Sequence, residues 1–137
     1  LTGNLAFGVQ ACYRGPKLYD TDRTRDMVKK WVDWYKAWRD ILESDLIHGR
    51  RADGQRLDWM LHVNPKLETK GMLVVFNPQD TPVEETLAVN VYYAGLSDTV
   101  TVHTNGQEDQ ALPIDRNYKV NVPVSVPARG FQWYALR

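Results

Sequence analysis

The hydrophobic periodicity of this 137-residue chain changes once, near Asp45, and that change constrains the fold more than any other feature. Before Asp45, apolar residues recur every three or four positions, which indicates an amphipathic α-helix over residues 22–43. After Asp45, apolar and polar residues alternate at every second position, which indicates β-strands. We therefore predict two parts, residues 1–45 and residues 46–137, that meet where the period changes.

The predicted helix has a markedly aromatic apolar face. Its start can be capped by Asp20, Thr21 or Asp22, because each side chain offers an oxygen to the unpaired N–H groups of the first turn. The apolar positions are Met27, Val28, Trp31, Tyr35, Trp38, Ile41 and Leu42, and the face is widened by Val32 and Trp34. So many aromatic rings on one helix predict contact with more than one surface. We assign four of them to an interface: Trp31, Trp34, Tyr35 and Trp38.

The part after Asp45 contains about eight short alternating runs, which are typical of an antiparallel sandwich or barrel. The most regular run is Tyr118, Val120, Val122, Val124 and Val126, and another predicted strand face is Leu87, Val89, Val91 and Tyr93. Residues 72–76 are apolar throughout, which predicts a strand covered on both faces. Asp53-Gly54 and Asn105-Gly106 predict type I′ hairpin turns. The predicted fold class is mainly β: a Greek-key-type antiparallel β-sandwich of about eight strands, preceded by one long amphipathic α-helix.

The first twenty residues have no long periodic pattern. Leu5, Phe7 and Val9 alternate briefly, as the end of a short strand would, and Gly15-Pro16 interrupts the chain. The segment is rich in apolar residues, which predicts that it packs against neighbouring structure. Because the chain begins at Leu1, without an initiator methionine or a signal peptide, we interpret it as an excised or processed piece of a longer protein.

Charge and cysteine content narrow the classes of partner. Seventeen basic and seventeen acidic residues give a net charge of zero, so the basic surface that nucleic acids require is missing. We expect no nucleic-acid partner and no membrane partner, and the longest apolar run, residues 72–76, is too short to span a bilayer. The single cysteine, Cys12, excludes an internal disulfide. It leaves the compartment open, with an exported parent protein, periplasmic or extracellular, as one alternative.

The polar residues do not form a recognisable catalytic pattern. Six aspartates lie at predicted turns or strand ends, where this residue usually accepts hydrogen bonds from backbone N–H groups: Asp53, Asp58, Asp80, Asp98, Asp109 and Asp115. The histidines His48, His62 and His103 are not at metal-ligand spacing, and Cys12 has no visible base beside it. We therefore predict no catalytic residue, no metal and no cofactor in this chain.

Aromatic residues allow a different hypothesis, namely sugar binding, because exposed aromatic rings can stack on sugar rings. Trp59 and Trp133 lie within apolar alternation and are predicted to be core residues. Tyr92, Tyr93 and Tyr134 are better candidates, because adjacent residues in a strand point to opposite faces. A carbohydrate is therefore a candidate partner.

The junction between helix and strands carries a resemblance to a known family. Tyr35, Lys36, Arg39, Asp40 and Ile41 match a Tyr-Lys-x-x-Arg-Asp-Ile/Leu pattern, which residues 44–48 continue into a strand. This run resembles the end of the catalytic barrel in the α-galactosidase-like glycoside hydrolases (clan D, family 36 and relatives). Residues 71–78 and 124–131 are similar, more weakly, to the strand and last turn of the C-terminal sandwich in such enzymes.

The resemblance implies that residues 1–45 are a loop and the last helix of a catalytic barrel. Gln10, Tyr13 and Arg14 would then lie on a loop at the catalytic face and are the candidate substrate contacts. No motif matches the family's catalytic carboxylates, so none is assigned. The implied function is that of a non-catalytic sandwich that packs on the catalytic barrel of the same chain, with a second copy bound through the exposed helix as a further candidate partner.

Three alternatives stay open at this point. An autonomous carbohydrate-binding module would explain exposed aromatic residues but not the helix. An immunoglobulin-like cell-surface domain would explain the strands but not a tryptophan-rich helix before them. A small free-standing enzyme would need a catalytic constellation that the sequence does not display.

Overall fold

The computed structural model describes residues 1–9, 16–17 and 19–137, which form two compact units, Leu1–Ser44 and Asp45–Arg137. The first unit contains helices α1 (Thr2–Ala6) and α2 (Asp22–Leu42). The second contains a 3₁₀ helix (Tyr92–Ala94) and eight strands: β1 (Asp45–His48), β2 (Asp58–Val63), β3 (Gly71–Phe76), β4 (Val83–Asn90), β5 (Thr99–His103), β6 (Gln110–Pro113), β7 (Lys119–Val126) and β8 (Phe131–Leu136). The prediction of a mainly β fold after one long helix is confirmed.

Helix α2 begins and ends as the sequence predicts. Of the three candidate caps, Thr21 is the one used, because its Oγ1 accepts a hydrogen bond from the backbone N–H of Thr24 at 3.2 Å. At the other end, the hydroxyl of Ser44 donates to the carbonyl of Asp40 at 2.7 Å. None of the helices in the described ranges is both long and apolar enough to span a bilayer.

The strand-like interpretation of residues 5–9 is wrong, because residues 2–6 form the short helix α1. Local hydrogen bonds decide this conformation: Leu5 N–H donates to the carbonyl of Leu1 at 3.1 Å, and Phe7 N–H donates to that of Gly3 at 3.2 Å. Gly8 follows with φ of +71°, and a Cβ there would lie 2.1 Å from the carbonyl oxygen of Leu42. This close approach to the end of α2 is open only to glycine.

The strands form an antiparallel sandwich with two sheets of unequal size. One sheet has the strand order β1-β2-β3-β8-β5-β6, and the other pairs β4 with β7. The chain passes between the sheets after β3, β4, β6 and β7, so at these four points consecutive strands lie in different sheets. These crossings produce the Greek-key type of connection that the sequence predicts.

The core of the sandwich is made by the inward faces of both sheets. In β7 the valines at 120, 122, 124 and 126 are buried and alternate with exposed residues. Facing residues of the larger sheet include Leu73, Val75, Tyr134 and Leu136. Strand β3 is buried at every position from Gly71 to Val75, including Met72 and Val74 on its other face. The prediction of a strand covered on both faces is therefore confirmed.

Both predicted type I′ turns are wrong. Such a turn needs φ > 0 at two successive residues, but among the described non-glycine residues only Asp98, Tyr118 and Arg129 have positive φ. Gly54 and Gly106 have positive φ, whereas Asp53 and Asn105 before them do not. Longer connections replace the two-residue hairpins, and in the first of them the Asp53 carboxylate accepts hydrogen bonds from the N–H groups of Gln55 and Arg56.

A buried asparagine, Asn77, joins the two sheets at one end. Its Nδ2 lies 2.9 Å from the carbonyl oxygen of Thr81, 3.2 Å from that of Val126 and 3.1 Å from that of Pro127. Its Oδ1 accepts a hydrogen bond from the N–H of Gln79 at 2.9 Å. The side chain thus ties the chain after β3 to the end of β7 and needs both a donor and an acceptor.

Replacing Asn77 by aspartate should destabilise the sandwich strongly. A carboxylate keeps the acceptor but places a buried negative charge against three carbonyl oxygens, so we expect Asn77→Asp to lower the free energy of unfolding by about 2–4 kcal/mol. Urea unfolding followed by circular dichroism at pH 7 measures this loss. Asn90→Asp is the matched control, because Asn90 is exposed and its Oδ1 acts as an acceptor for Tyr92 N–H. Equal losses in both variants would contradict the assignment.

Candidate functional site

The substrate contacts expected from the sequence, Gln10, Tyr13 and Arg14, lie outside the described residues, as does Cys12. Their assignment to a loop at a catalytic face stays a prediction.

The four aromatic residues expected at an interface lie together on α2. Tyr35 is buried, whereas Trp31, Trp34 and Trp38 are half-buried. The rings of Trp31 and Trp34 meet edge to face, with centroids 5.9 Å apart. Burial along this face rises towards the end of the helix, because Met27 is 52% exposed and Leu42 is buried. The first half of the apolar face is therefore the accessible half.

The hydroxyl of Tyr35 donates a hydrogen bond to Glu43, which also accepts one from the guanidinium of Arg39. The bond from Tyr35, followed by that from Arg39, lowers the pKa of Glu43 below its usual value. This network fixes the end of the helix.

Two of the six turn aspartates, Asp53 and Asp115, accept hydrogen bonds from backbone N–H groups, as the sequence predicts. Asp115 accepts hydrogen bonds from the N–H groups of Asn117 and Lys119, and Asp80 pairs with Arg129 at 2.7 Å. The pKa of Asp53 is held well below its usual range, first by the backbone N–H groups of Arg56 and Gln55 and then by the Arg50 guanidinium. A carboxyl group that stays ionised to such low pH cannot act as a general acid near neutrality.

Histidines and carboxylates are not grouped as metal ligands. Within residues 1–9, 16–17 and 19–137, no three His, Cys, Asp or Glu residues come together in a way that could hold a metal ion. Nδ1 of His103 lies 2.6 Å from Oδ1 of Asp109, which is a pair of residues rather than a group of three.

The most distinctive surface of the second unit is a group of three tyrosines, Tyr92, Tyr93 and Tyr118, called here the tyrosine cluster. They are 54%, 66% and 41% exposed, respectively, and are the exposed large hydrophobic residues of the described second unit. The Tyr92 ring meets that of Tyr93 at a centroid distance of 5.3 Å and that of Tyr118 at 5.0 Å. Both pairs are nearly perpendicular, with interplanar angles of 81° and 76°.

The tyrosine cluster borders a groove of about 430 Å³. Besides the tyrosines, the groove is lined by Pro65, Gly95, Leu96 and Ser97. The lining contains no ionisable side chain other than the tyrosine phenols. A second groove, of about 500 Å³, contains Glu84 and Glu85 and has no aromatic ring in its lining.

Two residues of the tyrosine cluster depart from the alternation that predicts them to be inward-facing. Tyr93 shares the parity of Leu87 and Val89, but β4 ends at Asn90 and a 3₁₀ helix carries the tyrosine outward. Tyr118 shares the parity of Val120, but its φ of +60° turns it away from the core. A non-glycine residue in this region is strained and persists only when its surroundings hold it.

Hydrogen bonds around the tyrosine cluster supply that support. Val91 N–H donates to the carbonyl of Tyr118 at 2.8 Å, which links the 3₁₀ helix to the turn before β7. Tyr118 N–H donates to the carbonyl of Asp115 at 2.9 Å, and Tyr92 N–H donates to Oδ1 of Asn90 at 3.0 Å. The cluster is therefore held on fixed backbone.

Of the three tyrosines that the sequence proposes for sugar stacking, Tyr92 and Tyr93 are exposed but Tyr134 is not. Tyr134 is buried in β8, and its hydroxyl accepts a hydrogen bond from Ser125 N–H at 3.0 Å. The prediction of Trp133 as a core residue agrees with its burial. Sequence reasoning missed Tyr118, although the turn-forming residues 115–117 just before it were a signal that the strand had not yet begun.

Comparisons with known proteins identify the fold. No protein-family model matches the sequence, and no curated protein matches it. The chain is similar in structure to a putative α-galactosidase/melibiase from Bacteroides fragilis NCTC 9343, with a TM-score of 0.58 and 14% sequence identity, covering 99% of this chain and 27% of that one. It is also similar to an α-amylase from Geobacillus thermoleovorans complexed with acarbose, with a TM-score of 0.55 and 11% sequence identity. The similarity covers 88% of this chain and 24% of that one.

A third similar structure is AmyP in complex with maltose, with a TM-score of 0.50 and 9% identity, covering 93% of this chain and 24% of that one. The chain thus spans about a quarter of the length of the structures it resembles. At these identities the likeness concerns the fold, and the chain has a fold similar to part of glycoside hydrolases.

The support of the tyrosine cluster can be tested at Gly95. This residue follows the 3₁₀ helix with φ of +68°, and a Cβ on it would lie 2.9 Å from Cβ of Pro65, a rigid ring atom. We expect Gly95→Ala to lower the free energy of unfolding through both the left-handed backbone, about 1–2 kcal/mol, and the steric clash, about 1–3 kcal/mol. Chemical denaturation followed by circular dichroism measures the sum.

Gly106→Ala is the matched control, because Gly106 has φ of +78° but a Cβ there would meet no atom within 4 Å. It should show only the backbone part of the loss. If the two variants lost the same stability, the contact between Gly95 and Pro65 would not be tight, and the assignment would be wrong.

Proposed function

We propose that the chain is a non-catalytic accessory region of a larger glycoside hydrolase, in which the sandwich packs on the catalytic barrel and stabilises it. This proposal rests on how much of this chain and of the similar structures align with each other. Nearly the whole chain aligns with structures of glycoside hydrolases, yet it spans only about a quarter of their length. A region that makes up about a quarter of such enzymes leaves room for a separate catalytic domain in the rest of the parent chain, which supports an accessory role by analogy of fold.

The family and substrate class belong to the same proposal. The run Tyr35, Lys36, Arg39, Asp40 and Ile41 favours the α-galactosidase-like enzymes of family 36 and relatives. One similar structure is described as a putative α-galactosidase/melibiase, and two others are complexed with acarbose or maltose. We therefore infer that the parent enzyme acts on α-linked glycosides.

Three of the described carboxylates are consistent with a non-catalytic role. A glycoside hydrolase needs two carboxyl groups about 5–10 Å apart, one of them with a raised pKa. Asp53, Asp80 and Glu43 instead have lowered pKa values, because each accepts hydrogen bonds that favour its charged form. Such groups stabilise turns and helix ends and are poor proton donors at neutral pH.

Helix α2 is the element we assign to the missing barrel. The exposed Met27 and the half-buried Trp31 lie on the first half of the aromatic face, as an interface to further structure requires. Gln10, Tyr13 and Arg14 would approach the substrate only in the complete enzyme.

The absence of catalysis is tested by assaying the purified chain. Aryl α-galactosides and aryl α-glucosides should show no turnover above a mock preparation from the same host, because the proposed role leaves the catalytic carboxylate pair to the rest of the parent enzyme. A complete α-galactosidase serves as the positive control. Hydrolysis that co-purifies with the folded chain and disappears on its immunodepletion would overturn the proposal.

The docking role of α2 predicts self-association of the chain when it is purified alone. Exposed apolar surface on the first half of the helix should pair with a second copy, so the mass from light scattering should rise towards that of a dimer with concentration. Met27→Lys should shift this equilibrium towards the monomer. Ala37→Lys, at an exposed position outside the aromatic face, should leave it unchanged. A strictly monomeric wild-type chain, or equal effects of the two substitutions, would contradict the assignment.

A further inference from the structure

We propose that the tyrosine cluster of the sandwich is a binding site for a neutral pyranose ring of an oligosaccharide, with Tyr92, Tyr93 and Tyr118 as the stacking residues. The first support is the distribution of exposed apolar surface. Elsewhere on the described second unit the large hydrophobic residues are buried or half-buried, whereas these three rings are exposed, and the rings of Tyr93 and Tyr118 both contact that of Tyr92. Aromatic rings exposed in one group indicate an interaction site rather than incidental exposure.

The second observation that supports a sugar site is the angle between the tyrosine rings. The rings of Tyr93 and Tyr118 each stand nearly perpendicular to that of Tyr92, so the cluster presents ring faces and ring edges in different directions. A pyranose has an apolar face of C–H groups and a rim of hydroxyls. One ring can stack on the apolar face while a neighbouring phenol exchanges hydrogen bonds with the rim.

The chemistry of the groove selects a neutral ligand. Tyrosine phenols, Ser97 and apolar groups line it, and no carboxylate, ammonium or guanidinium is among the lining residues. A phosphate or carboxylate ligand would find no opposite charge there. The volume of about 430 Å³ lies within the range of small-molecule sites, about 300–1,000 Å³.

The third observation that supports a sugar site is that the backbone carrying the tyrosine cluster is held in place. Tyr118 is held in the left-handed region at φ of +60°, and Gly95 packs where no larger residue fits beside Pro65. The hydrogen bond from Val91 N–H to the carbonyl of Tyr118 joins the two segments that carry the rings. Because the backbone that carries the rings is held before binding, little backbone conformational entropy is lost when a ligand arrives.

A protein partner fits this surface less well than a sugar does. With full burial of an aromatic side chain at about 150–250 Å², the exposed parts of the three rings offer about 250–400 Å². A stable protein interface buries about 800 Å² per partner. The described second unit has no other exposed large hydrophobic residue that would extend the patch.

The experiment is a titration of the 137-residue chain with maltoheptaose and, separately, with stachyose, followed by calorimetry and by NMR shifts of the backbone amides. The choice of these α-linked sugars rests on the proposed function. We expect saturable binding of at least one sugar, with shifts centred on residues 92–97 and 118. Tyr93→Ala and Tyr118→Ala should each weaken binding about tenfold, and Tyr93→Phe, which keeps the ring, should weaken it less.

Tyr19→Ala is the matched control, because Tyr19 is 42% exposed, close to the value for Tyr118, but lies outside the tyrosine cluster. It should bind as the wild type does, and circular dichroism should report a folded sandwich in every variant. Saturable binding that Tyr93→Ala and Tyr118→Ala leave unchanged would overturn the proposal, as would no binding of either sugar. Dimerisation that Tyr93→Ala abolishes would also overturn it, by making the cluster a contact between copies.

These outcomes are separable from the test of the proposed function. A chain that neither hydrolyses glycosides nor binds the two sugars overturns the sugar site alone. A chain that hydrolyses aryl glycosides overturns the accessory role, whereas binding that depends on Tyr93 and Tyr118 still supports the sugar site.

Discussion

Apolar packing between two sheets of unequal size is the interaction on which the second unit depends. A two-stranded sheet is marginally stable at best in water, so β4 and β7 exist as strands because their inward side chains are buried against the six-stranded sheet. Each buried valine of β7 contributes about 1.5–3 kcal/mol relative to an exposed one. Loss of contact between the sheets would therefore remove the smaller sheet as a whole.

Polar contacts between the sheets set their alignment. Tyr134 in β8 accepts the N–H of Ser125 in β7, and Asn77 after β3 bonds to the carbonyls of Val126 and Pro127. Burial raises the pKa of Tyr134, so its hydroxyl stays neutral. Because apolar contacts are not directional, such hydrogen bonds specify which register of β7 is occupied.

The same packing explains where the tyrosine cluster lies. Strands β4 and β7 stay paired as far as Asn90 and Lys119. The segments that follow β4 and precede β7 lie beyond this pair, outside the sheet. The hydrogen bond between Val91 and Tyr118 is the last link between them. The 3₁₀ helix and the left-handed Tyr118 then turn the rings outward at the end of the smaller sheet. Long regular strands thus position a short irregular site.

The sequence predicts the long elements because burial repeats over many residues there. Helix α2 and the valines of β7 each repeat one pattern several times, so a single exception does not change the assignment. Predictions for short segments fail because two or three local hydrogen bonds outweigh the hydrophobic pattern, as those from the N–H groups of Leu5 and Phe7 do at α1. Alternation predicts Tyr118 to be inward-facing, because it reports parity and cannot report a reversed φ. It also leaves Tyr134 as a candidate for exposure, because parity does not say which face of a strand is covered.

Four of the described carboxyl groups have displaced pKa values, and they lie at turns and helix ends. The described carboxyl groups whose pKa values are displaced are all lowered: Asp20, Glu43, Asp53 and Asp80. Hydrogen bonds to the charged form cause each displacement, so these groups stay ionised far below neutral pH. General acid catalysis requires the opposite, a carboxyl group whose surroundings favour its protonated form. Their charges hold turns and helix ends in place.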